Sequence, residues 1–197
     1  MSAVRARTFV VCVALATLGG CGGRSSDGAN GAGGASANAS ASGAESTRAT
    51  RGESSMLVGE VNGAQVLEAD ARWRGAYASA TTDAEGARAL AAAPVGGHID
   101  VFFGMWCGDS VREVTKFLRY AERGALPFSY RLIAVDRAKQ AEGLTEGRDI
   151  RYVPTFIVMR EGREVGRVIE SPRGELGADL ASLLAGSASG AITGRSD

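Results

Sequence analysis

The clearest pattern of apolar positions begins at His98. His98-Ile99-Asp100-Val101-Phe102-Phe103-Gly104 is a short, mostly apolar run of the kind that fills the buried centre of a sheet. The period changes after Met105-Trp106-Cys107-Gly108-Asp109. From Ser110 onward, Val111, Val114, Leu118 and Ala121 recur on one helical face, with Arg112, Glu113, Lys116 and Arg119 directed away from it. This predicts an amphipathic helix laid on that sheet. Tyr130 to Val135 predicts a second buried strand, and Asp136 to Arg148 a polar helix or turn region, with Asp136 as its N-cap. Phe156 to Arg160 and Glu164 to Ile169 form a hairpin around Glu161-Gly162. Ser171 and Pro172 have the chemistry of a helix start, and Leu176, Leu180, Leu183 and Leu184 share the face that follows. Residues 187–197 are small and polar and read as a flexible tail.

Upstream, Met56 to Val61 and Ala64 to Leu67 flank Asn62-Gly63, a strong hairpin signal that predicts a β-ribbon. Glu68 to Ala80 carries Trp73 and Tyr77 at helical spacing, as core anchors rather than ligands. Thr82-Asp83-Ala84-Glu85 is a capping-box pattern before a helix to about Ala93, which Pro94 and Gly96-Gly97 end. The order is β-ribbon, helices, β, α, β, α, β, β, α. It predicts an α/β domain over residues 56–186, with a mixed sheet flanked by helices and an N-terminal ribbon and helical extension.

The first quarter is of another kind. Gly22 to Ser55 contains no Leu, Ile, Val, Met or aromatic residue, so it cannot bury enough apolar surface to offset its ordering entropy. Residues 21–55 therefore read as a disordered linker, with an end-to-end distance on the order of 30 Å. Before it, Arg5 and Arg7 precede a short apolar core, Thr8 to Leu18, too short for a good membrane span. Leu18-Gly19-Gly20-Cys21 resembles a bacterial lipobox. That resemblance implies a signal peptide over residues 1–20, lipid on Cys21, and a bacterial cell-envelope location with the domain facing the periplasm or exterior. The competing reading is an ordinary secretory signal or uncleaved anchor with Cys21 incidental.

Lys and Arg number 22 and Asp and Glu also 22, so no basic excess argues for nucleic acid. Three cysteines are present. With Cys12 removed in the signal peptide and Cys21 lipidated, Cys107 is the only free thiol expected in the mature chain. In an oxidising compartment such a thiol needs an external reductant or a partner sulfur. One thiol and a single histidine do not make a zinc site, and no cofactor is expected. The glycines at 143 and 147 read as turns rather than as a phosphate cradle.

The candidate chemistry lies at the strand-to-helix junction. Unpaired amides and the helix dipole there favour a thiolate at Cys107, and Ser110, one turn along, can donate a hydrogen bond to the sulfur. Asp109 opposes this through like-charge repulsion. Three features together, Trp106-Cys107-Gly108-Asp109-Ser110 after a buried strand, Val153-Pro154-Thr155 before the next, and a terminal hairpin and helix, resemble the thioredoxin superfamily over His98 to Ala185. The motif looks like that of an exported lipoprotein branch. The resemblance implies a thioredoxin fold and a cis Pro154 beside Cys107.

Dithiol members of that superfamily release their mixed disulfide with a second cysteine, which Ser110 cannot replace. A single thiol still reduces mixed disulfides or sulfenic acids with help from an external thiol, or shuffles disulfides. In this reading Cys107 is the nucleophile, Ser110 stabilises the thiolate and Trp106 offers a flat apolar surface. The backbone of Val153 and Pro154 aligns an extended polypeptide carrying the reacting thiol or disulfide. The alternative is a non-catalytic module that docks a partner polypeptide in the same groove. A Cys-His hydrolase would need His98, which precedes the central strand at the end opposite Cys107.

Overall fold

A computed structural model describes residues 56–195. The expected signal peptide, Cys21 and the linker to residue 55 lie outside the described residues. Six strands form one mixed sheet: β1 (Gly59–Val61), β2 (His98–Phe103), β3 (Ser129–Ala134), β4 (Thr155–Arg160), β5 (Arg163–Ile169) and β6 (Gly190–Ile192). Their order across the sheet is β1-β3-β2-β4-β5-β6. β2 and β3 run parallel, whereas β4 is antiparallel to both β2 and β5. The helices among the described residues are α1 (Gly63–Ala69), α2 (Ala71–Ser79), α3 (Ala84–Ala91), α4 (Gly108–Glu122) and α5 (Leu176–Ala185).

The pleat of the central strands divides the core. Ile99, Val101 and Phe103 of β2 and Phe156 and Val158 of β4 share one cluster with Trp73, Leu90, Val114, Phe117 and Leu180 from the helices. Phe102, Ile133 and Ile157 point the other way and are covered by the connection between β3 and β4 through Ala141 and Val153. This is the alternation that a period of two demands when both faces are buried. Strand, crossover helix α4, parallel strand, antiparallel hairpin and closing helix α5 together make a thioredoxin-like fold, as expected.

Several boundaries differ from the sequence reading. Asn62 and Gln65 form a reciprocal capping box, with Gln65 N–H donating to Asn62 Oδ1 at 2.9 Å and Asn62 N–H to Gln65 Oε1 at 2.8 Å. The predicted ribbon is thus one strand, β1, antiparallel to β3, followed directly by α1. The expected helix over Glu68 to Ala80 is broken at Asp70, which ends α1 and caps α2 by accepting the Arg72 N–H at 2.7 Å. Asp83, not Thr82, caps α3; it accepts Gly86 N–H and the Tyr120 hydroxyl, which ties α3 to α4.

The last helix starts at Leu176 rather than at Ser171, because the Ser171 carbonyl accepts Gly194 N–H at 2.9 Å and Asp179 accepts Arg173 N–H at 2.8 Å. The stretch read as a tail is also corrected. Gly186 ends α5 in the left-handed region (φ 76°), and residues 190–192 then join the edge of β5 as a parallel strand. Ile192, its one large apolar side chain, is buried there. The polar stretch 136–148 contains turns and no helix. Asp136 accepts Gln140 N–H at 2.9 Å, closing a turn instead of capping a helix.

Candidate functional site

The site is built where two parallel strands end side by side. Phe103 pairs with Ala134, and Val135 N–H donates to the Phe103 carbonyl at 2.8 Å, so the segments that leave β2 and β3 start next to each other. The first is Gly104 to Cys107 and the second begins Asp136-Arg137. Cys107 is the residue before α4; its extended backbone (φ −88°, ψ 126°) turns the chain into the helix, and its carbonyl accepts the Val111 N–H at 3.0 Å. Cys107 is half-buried.

The peptide bond between Val153 and Pro154 is cis, and it does lie beside Cys107. The Cys107 thiol donates to the Val153 carbonyl, Sγ to oxygen 3.2 Å. Pro154 is buried, and its own carbonyl accepts Glu170 N–H at 2.7 Å, fastening the segment to the end of β5. Thr155 Oγ1 donates to the Tyr152 carbonyl at 2.8 Å and closes the turn around the proline. Of the residues singled out in the sequence, Trp106 and Cys107 are half-buried and pack against one cluster with buried Val153, which precedes Pro154.

Ser110 is fully buried beneath them. Its Oγ accepts the Gly104 N–H at 3.2 Å, so the hydroxyl fixes the loop in front of Cys107. The hydrogen of that hydroxyl is not committed to an acceptor among the described residues. Asp109 is half exposed and pairs with Arg112 at 2.8 Å, which offsets its charge locally. Burial pulls the Arg112 pKa down, but hydrogen bonds to Glu113 and Asp109 outweigh it and hold the guanidinium above its ordinary value.

Two groups not foreseen in the sequence hold the loop. Gly104 accepts the Cys107 N–H at 3.0 Å through its carbonyl while donating to Ser110. A Cβ at this position would lie 2.7 Å from Cε2 of Trp106, so the indole packs directly on the glycine. Gly104 stands next to the motif, but only the folded position of the indole shows why a side chain is excluded. From the other side, the Met105 carbonyl accepts hydrogen bonds from Trp73 Nε1 at 3.1 Å and from the Arg72 guanidinium. Trp73 is thus a core anchor, as read, and also a support for the cysteine loop.

Trp106 departs from the flat apolar surface expected of it. Its Nε1 is buried without a hydrogen-bond partner, and the Arg137 guanidinium lies over the ring, 5.3 Å from the centroid. His98 is not brought to the site. It begins β2, whereas Cys107 follows its end, and its Nε2 donates to Asp100 at 2.9 Å while Nδ1 lies 2.7 Å from the Ser129 hydroxyl.

No family model and no curated protein matches the chain. Among solved structures, the chain is similar to a protein of unknown function from Pseudomonas aeruginosa, with 19% identity, 66% of this chain and 95% of that chain covered, and a TM-score of 0.52. It is also similar to an HIV epitope-scaffold, with 20% identity, 66% and 95% coverage and a TM-score of 0.52. At these identities the likeness is one of fold.

Proposed function

We propose that this protein carries out monothiol thiol-disulfide exchange through Cys107, working in the bacterial cell envelope from a lipid anchor on Cys21. The observation that carries the proposal is the hydrogen bond from the Cys107 thiol to the Val153 carbonyl beside the cis proline. Loss of the thiol proton gives the nucleophile and at the same time frees that carbonyl. An extended polypeptide then offers it a backbone N–H, which brings a substrate sulfur to Cys107. Attack on a mixed disulfide joins Cys107 to one sulfur and expels the other as a thiolate. An external thiol, such as glutathione, then attacks this second disulfide, leaves as its own mixed disulfide, and returns Cys107 as a thiolate. Ser110 supplies no second sulfur, so the external thiol is the electron source.

The test is turnover of an S-glutathionylated peptide with reduced glutathione. Cys107→Ala is expected to abolish it, and turnover equal to that of the unsubstituted protein would sink the proposal.

A second reading, docking without chemistry, is favoured by one feature. An open cavity of about 380 Å³, lined by Tyr152, Thr155, Arg167 and Ile169 among others but not by Cys107 or Trp106, is large enough for a side chain of a bound peptide. In that case peptide capture survives Cys107→Ala undiminished and no disulfide is turned over.

A further inference from the structure

Trp106, the residue before Cys107, carries a cation over its ring that the exchange chemistry alone does not use. Arg137 enters the turn after β3, whose closure by Lys139 N–H to the Asp136 carbonyl at 3.0 Å and Gln140 N–H to Asp136 Oδ1 at 2.9 Å holds its backbone. The parallel register of β2 and β3 places this turn next to the cysteine loop. The guanidinium rests 5.3 Å from the centroid of the Trp106 ring, on the residue preceding Cys107.

The Arg137 guanidinium donates no hydrogen bond among the described residues, and its N–H donors have the fork geometry that matches a carboxylate. Arg137 itself is exposed and forms no ion pair among the described residues. Asp136, next to it in the chain, is engaged in its turn, and Asp109 of α4 pairs with Arg112 at 2.8 Å. The indole N–H is buried and offers a ligand nothing, so the polar donor that the Trp106 surface presents is Arg137.

We infer that Arg137 is a specificity residue that binds a carboxylate on the disulfide partner of Cys107, making anionic disulfides the preferred substrates. This rests on the exchange reading above and names its substrate class. The carboxylate comes either from an acidic side chain next to a polypeptide cysteine or from a small peptide thiol such as glutathione. The chemical step is unchanged: the Cys107 thiolate bonds to one sulfur, the other leaves with the electron pair, and Arg137 holds the carboxylate of the incoming partner.

The experiment compares the rate at which Cys107 of the mature, lipidated chain, reduced beforehand, reacts with dianionic dithiobis-nitrobenzoate and with neutral dithiodipyridine. The ratio of the two rates is expected to fall about fivefold in Arg137→Ala, the size of an exposed ion pair, and further in Arg137→Glu. Arg137→Lys is expected to retain part of it, and added salt to compress it in the unsubstituted protein. A second arm uses glutathione disulfide and disulfide-linked peptides whose cysteines are flanked by Glu or Gln. An Arg137-dependent preference for Glu flanks assigns the carboxylate to a polypeptide, and one confined to glutathione disulfide assigns it to a small thiol. If the ratio is the same in Arg137→Ala as in the unsubstituted protein, the inference is overturned and exchange stands. If Cys107 reacts with none of these disulfides, exchange and the inference fail together.

Discussion

Ser110 occupies the position where a dithiol protein would have its second cysteine, and its contact with Gly104 shows what it does in place of a sulfur. The hydroxyl accepts the N–H of Gly104, and both groups are buried. Removing the hydroxyl strands that donor away from water, which costs about 1–3 kcal/mol rather than the smaller net worth of a hydrogen bond. Ser110→Ala is therefore expected to lose about 1–3 kcal/mol of unfolding free energy in urea, with an unchanged denaturant slope. A loss within error of zero would mean that water reaches Gly104. The same glycine accepts the Cys107 N–H, so one residue links the serine below the loop to the cysteine above it.

At the scale of elements, α2 props the cysteine loop that α4 opens. Trp73 is fully buried, meets Phe103 edge-on with ring centroids 5.3 Å apart, and spends its one N–H on the Met105 carbonyl. Trp73→Phe keeps an aromatic ring but deletes the hydrogen bond and part of the packed volume, with an expected cost of about 1–3 kcal/mol. Native-state hydrogen exchange is the sharper check, because protection should fall at the Cys107 amide and persist in β3; an equal fall in both would mean that α2 supports only the core. The elements legible in the sequence were those with a clear apolar or turn signal: β2, β3, the β4–β5 hairpin around Glu161-Gly162, and α4 with its stripe of Val111, Val114 and Leu118. The motif at Trp106 to Ser110 and the proline at 154 were legible because each sits where such an element begins. Asn62-Gly63 misled because an asparagine that suits a tight turn also suits a helix cap, and Gln65 three residues on decided between them. β6 was hidden because glycine and alanine carry no strand signal and Ile192 alone anchors it. Arg137 was invisible as a site residue because its meeting with Trp106 depends on the pairing of two strands well separated in sequence.

At the scale of the described domain, a charge is buried in the central strand. Asp100 is 1% exposed; it accepts hydrogen bonds from His98 Nε2 at 2.9 Å and from Arg131 Nε at 2.8 Å, and Arg148 Nη2 lies 3.6 Å away. These contacts bind β2 to β3 and to the long connection that carries Arg137 at one end and Val153-Pro154 at the other. Burial alone, the largest single influence, would raise the Asp100 pKa, but Arg131 and His98 together overcome it and hold the carboxyl below its ordinary value. Asp83 is likewise lowered, first by the Tyr120 hydroxyl, against its own desolvation, and then by Gly86 N–H. A carboxyl whose folded pKa is depressed contributes stability that is fully present above its unfolded pKa, near 3.9, and is lost as pH falls through the folded value. The protein should therefore lose stability progressively below about pH 4, with these two groups among the carboxyls responsible. Asp100→Asn keeps the shape and removes the charge, leaving Arg131 and Arg148 short of an anion. With both arginines about one-third exposed, solvent screening reduces the usual cost of breaking a buried pair to about 2 kcal/mol at pH 7. Because the variant cannot protonate at this site, its stability should also decline less steeply than the unsubstituted protein's between pH 4 and pH 2, a window about the carboxylate reference value. Urea unfolding curves across that range decide it: converging profiles place the acid-sensitive charge at Asp100, and parallel profiles would place it elsewhere.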